Sequence, residues 1–155
     1  MKIAVCVKQV PTVSKIDFDY QKKTIIRDNV PLEVNAFDLI ALGRAIELKE
    51  EAGGQVTVLS MGPRLAKEAL AHCLAVGADR AILLTDKAMA GSDTLATSRT
   101  LALALKDGTY DLILCGRNST DAETGQVGPQ IAEFLGIPHV SHVRGLKHHS
   151  EKTLL

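Results

Sequence analysis

Leu112-Ile113-Leu114-Cys115 runs directly into Gly116-Arg117-Asn118-Ser119-Thr120-Asp121-Ala122-Glu123-Thr124-Gly125-Gln126-Val127-Gly128-Pro129, and this junction decides the fold. The four apolar residues have the length and character of a buried strand, while Gln130 to Leu135 has helical spacing and stops at Gly136. The stretch between them is therefore a strand-to-helix loop. Gly116, Gly125 and Gly128 let the backbone approach a ligand closely, and Asn118, Ser119, Thr120 and Thr124 add short hydrogen-bonding side chains. A helix start has free N–H groups and about half a positive charge, so an anion such as phosphate is its natural guest. Thr124 is one candidate cap; Gly128, with Pro129 in the first turn, is the other. No Gly-Lys-Ser/Thr closes the loop, and it lacks the spacing of a dinucleotide fingerprint. The competing reading is a long polar surface loop.

Outward from this loop, strands and helices alternate. Ile3 to Val7 is a continuous apolar run, the mark of a strand buried on both faces of a parallel sheet. Lys15 to Arg27 alternates about a polar Gln21-Lys22-Lys23 turn, which predicts a small β-hairpin insertion after the first strand. Asn35 is placed to cap the first long helix, with Asp38 three residues on as a capping-box variant. Phe37, Ile40, Ala41, Ala45, Leu48 and Ala52 form its expected buried stripe, and Gly53-Gly54 ends it. Gln55 to Ser60 is the second strand. The next helix starts at Gly62-Pro63, buries Leu65, Ala66, Ala69, Leu70 and Cys73, and ends at Gly77. Ala81 to Leu84 is the third strand, followed by a helix over Thr94 to Leu105 with Ser92 as its cap. Leu112 to Cys115 is the fourth strand and Pro138 to Val143 the fifth. The expectation is α/β: a doubly wound open parallel sheet, helices on both faces. In the order 3-2-1-4-5 the first and fourth strands are neighbours where the winding reverses, and ligands bind at their carboxyl ends. That rule gathers Cys6, Val7 and Lys8, Asn35, Ala36, Phe37 and Asp38, and the Gly116 to Gly128 loop around one crevice.

At 155 residues the chain suits one domain spanning 1–155. Aromatic residues are 3% and tryptophan is absent, which disfavours base-stacking surfaces. Eighteen basic residues balance eighteen acidic ones, so no overall charge footprint for nucleic acid exists. Cys6, Cys73 and Cys115 are far apart, which argues against a disulfide framework and for a reducing cytoplasm. The apolar run at residues 3–7 is too short for a signal peptide or a membrane span, so a soluble protein without direct membrane insertion is expected.

The Gly116 to Glu133 stretch, together with Val5-Cys6-Val7-Lys8-Gln9-Val10, Val34-Asn35-Ala36-Phe37-Asp38, Ser60-Met61-Gly62-Pro63 and Ala75-Val76-Gly77-Ala78-Asp79-Arg80, resembles the beta (small) subunit of electron-transfer flavoproteins. The likeness runs in order through nearly the whole chain. It implies an adenine-nucleotide-binding, Rossmann-like domain that pairs with an alpha subunit and carries electrons from flavin-dependent dehydrogenases to a redox partner. Cys6, Asn35 to Asp38 and Met61 would then surround the adenosine of an AMP or FAD, and Val7 and Lys8 count among the cofactor-binding residues. Gly116, Arg117, Asn118, Ser119, Thr120, Asp121, Thr124, Gly125, Gln126, Val127 and Gly128 would wrap its phosphate. The Asp-x-x-Thr-x-Gln-Val-Gly pattern of Asp121 to Gly128 is closer to the members that hold a second FAD than to those that hold AMP. Measured against that family the chain is short, and the expectation is a fragment or truncated homologue without the C-terminal arm that clasps the alpha subunit.

Each candidate also has a plainer reading. Cys6 and Cys115, near the ends of adjacent strands, are either a redox pair or small apolar fillers; Cys73 is core. His139, His142, His148 and His149 lack the companions of a zinc site and read as solvated. Lys8 and Arg117 either meet a phosphate or face solvent, and Met61 either touches adenine or fills space. Asp121 and Glu123 have no nucleophile beside them, so no catalytic residue is assigned; the resemblance implies an electron-carrier subunit rather than a self-contained catalyst. The alternative function is a nucleotide-binding regulatory module of universal-stress-like architecture, without flavin.

Overall fold

A computed structural model describes residues 1–12, 17–19, 21, 24–26, 31–149 and 152–154. In chain order the strands are β1 (Lys2–Cys6), β2 (Gln9–Pro11), β3 (Asp17–Asp19), β4 (Thr24–Ile26) and β5 (Leu32–Val34). After α1 (Ala36–Ala52) come β6 (Gln55–Met61), α2 (Lys67–Val76), β7 (Arg80–Leu84), α3 (Thr94–Lys106) and β8 (Leu112–Cys115). The chain closes with α4 (Val127–Leu135), β9 (Lys147–His149) and β10 (Lys152–Leu154).

Four strands make the main sheet, in the order β7-β6-β1-β8, all parallel. β1 has no solvent face, because Ile3 and Val5 point to one helical layer and Ala4 and Cys6 to the other. The first layer is α1 and α2, supplying Leu42, Ala45, Leu48, Ala69, Leu70 and Cys73 against Val56 and Val58. The second is α3 and α4, supplying Leu101, Ala102, Leu105 and Ile131 against Leu59. Each large apolar side chain buried this completely contributes about 1.5–3 kcal/mol, which is why an uninterrupted apolar run becomes the central strand. The winding reverses at β1, and β8 follows on its far side with Cys6 opposite Cys115.

Five expectations need correction. Pro138 to Val143 is not a strand: the segment is exposed, Val140 at 58%, and His142 sits at φ 58, which breaks an extended run. The buried line of α1 is Asp38, Leu42, Ala45 and Leu48, leaving Ile40 68% exposed. α2 begins after a short 3-10 turn, Arg64–Ala66, so Pro63 precedes its first turn and Leu65 faces solvent. α3 is capped by Asp93, whose carboxylate accepts from the Ala96 N–H at 2.8 Å, while the Ser92 hydroxyl donates to the Met89 carbonyl at 2.8 Å. α4 begins at Val127, with Gln126 as its cap position in place of Thr124 or Gly128.

Near the insertion, β3 pairs antiparallel with β4, from Asp17 opposite Ile26 to Asp19 opposite Thr24. The remaining expected hairpin residues Lys15, Ile16, Tyr20, Lys22, Lys23 and Arg27 lie outside the described residues. β2 and β5 form a second antiparallel ribbon, which brings Lys8 and Asn35 together: the Asn35 N–H donates to the Lys8 carbonyl at 2.9 Å. Among the described residues no helix is long and apolar enough to cross a membrane.

Candidate functional site

The carboxyl ends of β1 and β8, the start of α1 and the loop from Gly116 to Gln126 meet at one place. A buried carboxylate organises it. Asp38 accepts from the Lys8 N–H at 2.8 Å, with the Gly116 backbone and the Asn35 side chain beside it favouring its charged form. Gly116 fits because it has no side chain: a Cβ there would lie 2.2 Å from an Asp38 oxygen and 2.8 Å from the Phe37 carbonyl carbon. Burial pushes the Asp38 carboxyl up to about 6, against the opposing pull of those donors and of the Lys8 charge.

Asn35 is 1% exposed and was expected to cap α1. It makes no side-chain cap bond. Its amide instead donates to the Asn118 carbonyl at 2.8 Å, and its oxygen accepts from the Thr120 N–H at 3.2 Å. The side chain thus behaves as a short strand partner for the loop and fixes it to the helix start.

Lys8 reaches over the same loop. Its ammonium lies 2.7 Å from both carboxylate oxygens of Asp121 and 3.5 Å from the Ser119 hydroxyl. Burial alone would raise the Asp121 carboxyl, but donation by Lys8 and Ser119 outweighs it and holds the group below the usual carboxylate range. With both side chains partly in solvent, the pair is worth about 0–1 kcal/mol to the fold. Arg117 stacks on the Phe37 ring, 4.8 Å from its centroid, and its Nε donates to Asn118 at 2.9 Å.

The far half of the loop is built differently. Gly125 occupies the left-handed region at φ 62, and Glu123, at φ 54, closes a turn in which its N–H donates to the Ser119 carbonyl at 2.8 Å. Among the described residues nothing accepts from the N–H groups of Thr124, Gly125, Gln126, Val127 or Gly128. They open α4, where the helix dipole adds positive potential. The Thr120 hydroxyl oxygen nearby is buried and has no partner. Free amides in a row beside an orphaned buried hydroxyl make a donor set that a phosphate ester would fit.

The other expected site residues fall as follows. Cys6 ends β1, buried, and Met61 ends β6, packed against the cluster that contains Cys6. Val7 is a core residue, 5% exposed, on the α1 side. Ala36 is exposed at the first position of α1, and Val127 packs on the core beneath α3. His139 and His142 are exposed and His148 is half-buried; among the described residues no three potential metal ligands converge.

Ser98 was not among the expected residues. It is fully buried on α3, with its hydroxyl 2.6 Å from the Thr94 carbonyl, 2.9 Å from Gln130 Oε1 and 3.3 Å from the Val127 carbonyl. It ties the first turn of α4 to α3 and so fixes the direction of the free amides. A serine within the apolar stripe Leu101, Ala102 and Leu105 was the available signal.

Asp38 carries a pH prediction. Its folded value lies above the ordinary 3.8, so ionisation costs the fold its full penalty above about pH 6, and the penalty fades as pH falls toward 3.8. Asp79 and Asp121, held low, keep their contribution through this window. Wild type should therefore gain about 1 kcal/mol on Asp38→Asn between roughly pH 7 and pH 5, read from urea midpoints. A difference that does not move with pH contradicts the assignment.

Residues 22–155 match the electron transfer flavoprotein domain family. The chain is 52% identical over 143 residues to the electron transfer flavoprotein subunit beta of Clostridium acetobutylicum, covering 92% of this chain and 55% of that one. It is 48% identical over 155 residues to the protein of the same name from Thermoanaerobacterium thermosaccharolyticum, covering all of this chain and 60% of the other. With the caffeyl-CoA reductase-Etf complex subunit CarD of Acetobacterium woodii it shares 45% identity over 157 residues, again 60% of that chain. The sequence thus spans a little over half the length of these relatives.

Proposed function

Because the chain belongs to the electron transfer flavoprotein family, we propose that it is the adenine-nucleotide-binding domain of a beta subunit, holding AMP or FAD at the β1/β8 switch point. The row of free amides from Thr124 to Gly128 carries this reading. Those amides and the Thr120 hydroxyl take the phosphate, with Lys8 and Arg117 supplying positive charge beside it. Cys6, the Asn35 to Asp38 turn and Met61 form the wall along which the adenosine lies. Asp38 and Asn35 also hold the loop to the helix start, and Ser98 positions the first turn of α4. A flavin, when bound, supplies the electron-carrying chemistry, and the protein's part is to hold and orient it and to exclude water.

In this reading the partners are an electron-transfer flavoprotein alpha subunit, with which the domain shares FAD, and a flavin-dependent dehydrogenase that delivers electrons. The cytoplasm is the proposed compartment. The family match does not favour the regulatory-module alternative.

Extraction of the purified chain tests the proposal. Release of AMP or FAD, and flavin absorbance on adding the alpha subunit, is the expected result; no retained nucleotide, and none bound on adding AMP or FAD, contradicts it. Lys8→Ala is expected to change stability by less than about 1 kcal/mol while weakening AMP about tenfold. Calorimetric titration at two salt concentrations checks this, since a lost phosphate contact also reduces the salt dependence. Equal affinities for variant and wild type would remove Lys8 from the site.

A further inference from the structure

Cys6 and Cys115 are register partners at the carboxyl ends of β1 and β8. Neighbouring strands lie about 4.7–4.9 Å apart, inside the roughly 4.4–6.8 Å between Cα atoms that a disulfide spans. Both side chains face the α3 and α4 layer: Cys6 belongs to its cluster and Cys115 packs against it. The third cysteine, Cys73, lies in the opposite layer on α2. Access differs too, because Cys6 is buried and Cys115 only half-buried. Gly128, in the first turn of α4, rests on Cys115: a Cβ there would lie 3.4 Å from Cys115 Cβ and 3.7 Å from its sulfur. A change at Cys115 is therefore felt by the turn that presents the free amides.

We propose that Cys6 and Cys115 are a disulfide-forming site, oxidised by a low-molecular-weight disulfide, and that closing the bond weakens the anion cradle above it. Cys115 enters first, as the accessible thiol. Its sulfur attacks one sulfur of the disulfide RSSR, whose S–S bond breaks; one RSH leaves with the Cys115 proton, and a mixed Cys115–S–SR bond remains. The Cys6 sulfur then attacks Cys115 Sγ, breaking that bond and releasing the second RSH with the Cys6 proton. Two protein thiols lose two electrons in total, and RSSR becomes two RSH. The neighbouring Cys115 thiol and burial hold the Cys6 thiol above its ordinary range, so the second step is the slow one. Drawing Cys115 toward β1 takes packing support from Gly128. The coupling to ligand rests on the nucleotide-binding reading, and it is reciprocal: whatever factor the disulfide takes from nucleotide affinity, nucleotide takes from disulfide formation.

The test uses the full chain, reduced and then exposed to glutathione disulfide with and without saturating AMP. Expected is loss of two hydrogens' mass, a non-reduced digest joining the Cys6 and Cys115 peptides, Cys73 still free for alkylation, and full reversal by dithiothreitol. AMP affinity of the oxidised form should fall about tenfold, and AMP should disfavour oxidation by the same factor. A stable glutathione adduct on Cys115, or three thiols that all remain alkylatable after unfolding, overturns the disulfide site. A disulfide that leaves AMP affinity unchanged overturns its coupling to the cradle. If the reduced chain binds neither AMP nor FAD, the nucleotide reading fails, and the mass change still decides the cysteine pair.

Discussion

Replacing Gly116 by alanine is expected to damage both fold and site more than any other single methyl group added to the loop. The new Cβ would lie 2.2 Å from an Asp38 carboxylate oxygen, 2.8 Å from the Phe37 carbonyl carbon and 2.9 Å from the Asp38 nitrogen. Two of those three atoms are backbone in the first turn of α1, so relief requires moving a helix start or driving the loop off the Asp38 carboxylate. Overpacking of this kind costs about 3 kcal/mol, the upper end of its usual range. Gly128→Ala is the matched comparison, since its Cβ would meet Cys115 at 3.4 Å, an ordinary contact. Urea midpoints should fall steeply for the first variant and little for the second; similar midpoints would mean that Gly116 does not sit on Asp38 as described. Larger side chains at Gly125 or Gly128 act on the ligand instead: Gly125→Val strains a backbone at φ 62 and Gly128→Val crowds the helix start, so both are expected to lose nucleotide before they lose the fold.

Asn35→Ala carries the second large effect. The side chain is buried and bonds the Asn118 carbonyl and the Thr120 N–H. Its removal leaves both backbone groups without a partner, at about 1–3 kcal/mol for each that water cannot reach. We expect a total loss of about 2–3 kcal/mol and a fall in AMP affinity of about a hundredfold, because the loop loses its attachment to α1 while the free amides must still be held in place. Asn35→Asp separates the two roles. It keeps an acceptor for Thr120 but loses the donor to Asn118 and adds a buried charge beside Asp38. Chemical denaturation and AMP titration of both variants measure this. An alanine variant with wild-type stability and affinity would show that the loop does not depend on Asn35.

Much of this arrangement is legible in the sequence, for identifiable reasons. The run at Ile3 to Val7 and the run at Leu112 to Cys115 are apolar without alternation, the pattern of strands covered on both faces in a parallel sheet. Their adjacency then follows from the winding rule, and the register of Cys6 with Cys115 bears it out. The glycine-rich loop's place between a strand and a helix is legible too, and β8 and α4 flank it as expected. What escapes the sequence is whatever depends on partners far along the chain. Asn35 followed by Asp38 has the local spacing of a capping box, but Asp38 bonds Lys8 and Asn35 bonds the loop, some 80 or more positions away. The same contact rotates α1: a buried Asp38 takes a place that a hydrophobic pattern assigns to Phe37, and Ile40 turns to solvent. Pro138 to Val143 has strand-like composition, yet a strand forms only where an edge receives it. The β2 and β5 ribbon is three residues a side, too short for alternation to show.

Amide mapping by two-dimensional NMR during an AMP titration tests the central claim most directly, because it reads each N–H of the loop separately. If these amides grip the phosphate, the resonances of Thr124, Gly125, Gln126, Val127 and Gly128 move together and saturate with one affinity, while those of Cys73 and its neighbours on α2 stay in place. Saturable binding that leaves these five amides unmoved, or shifts concentrated on another face of the sheet, would contradict it.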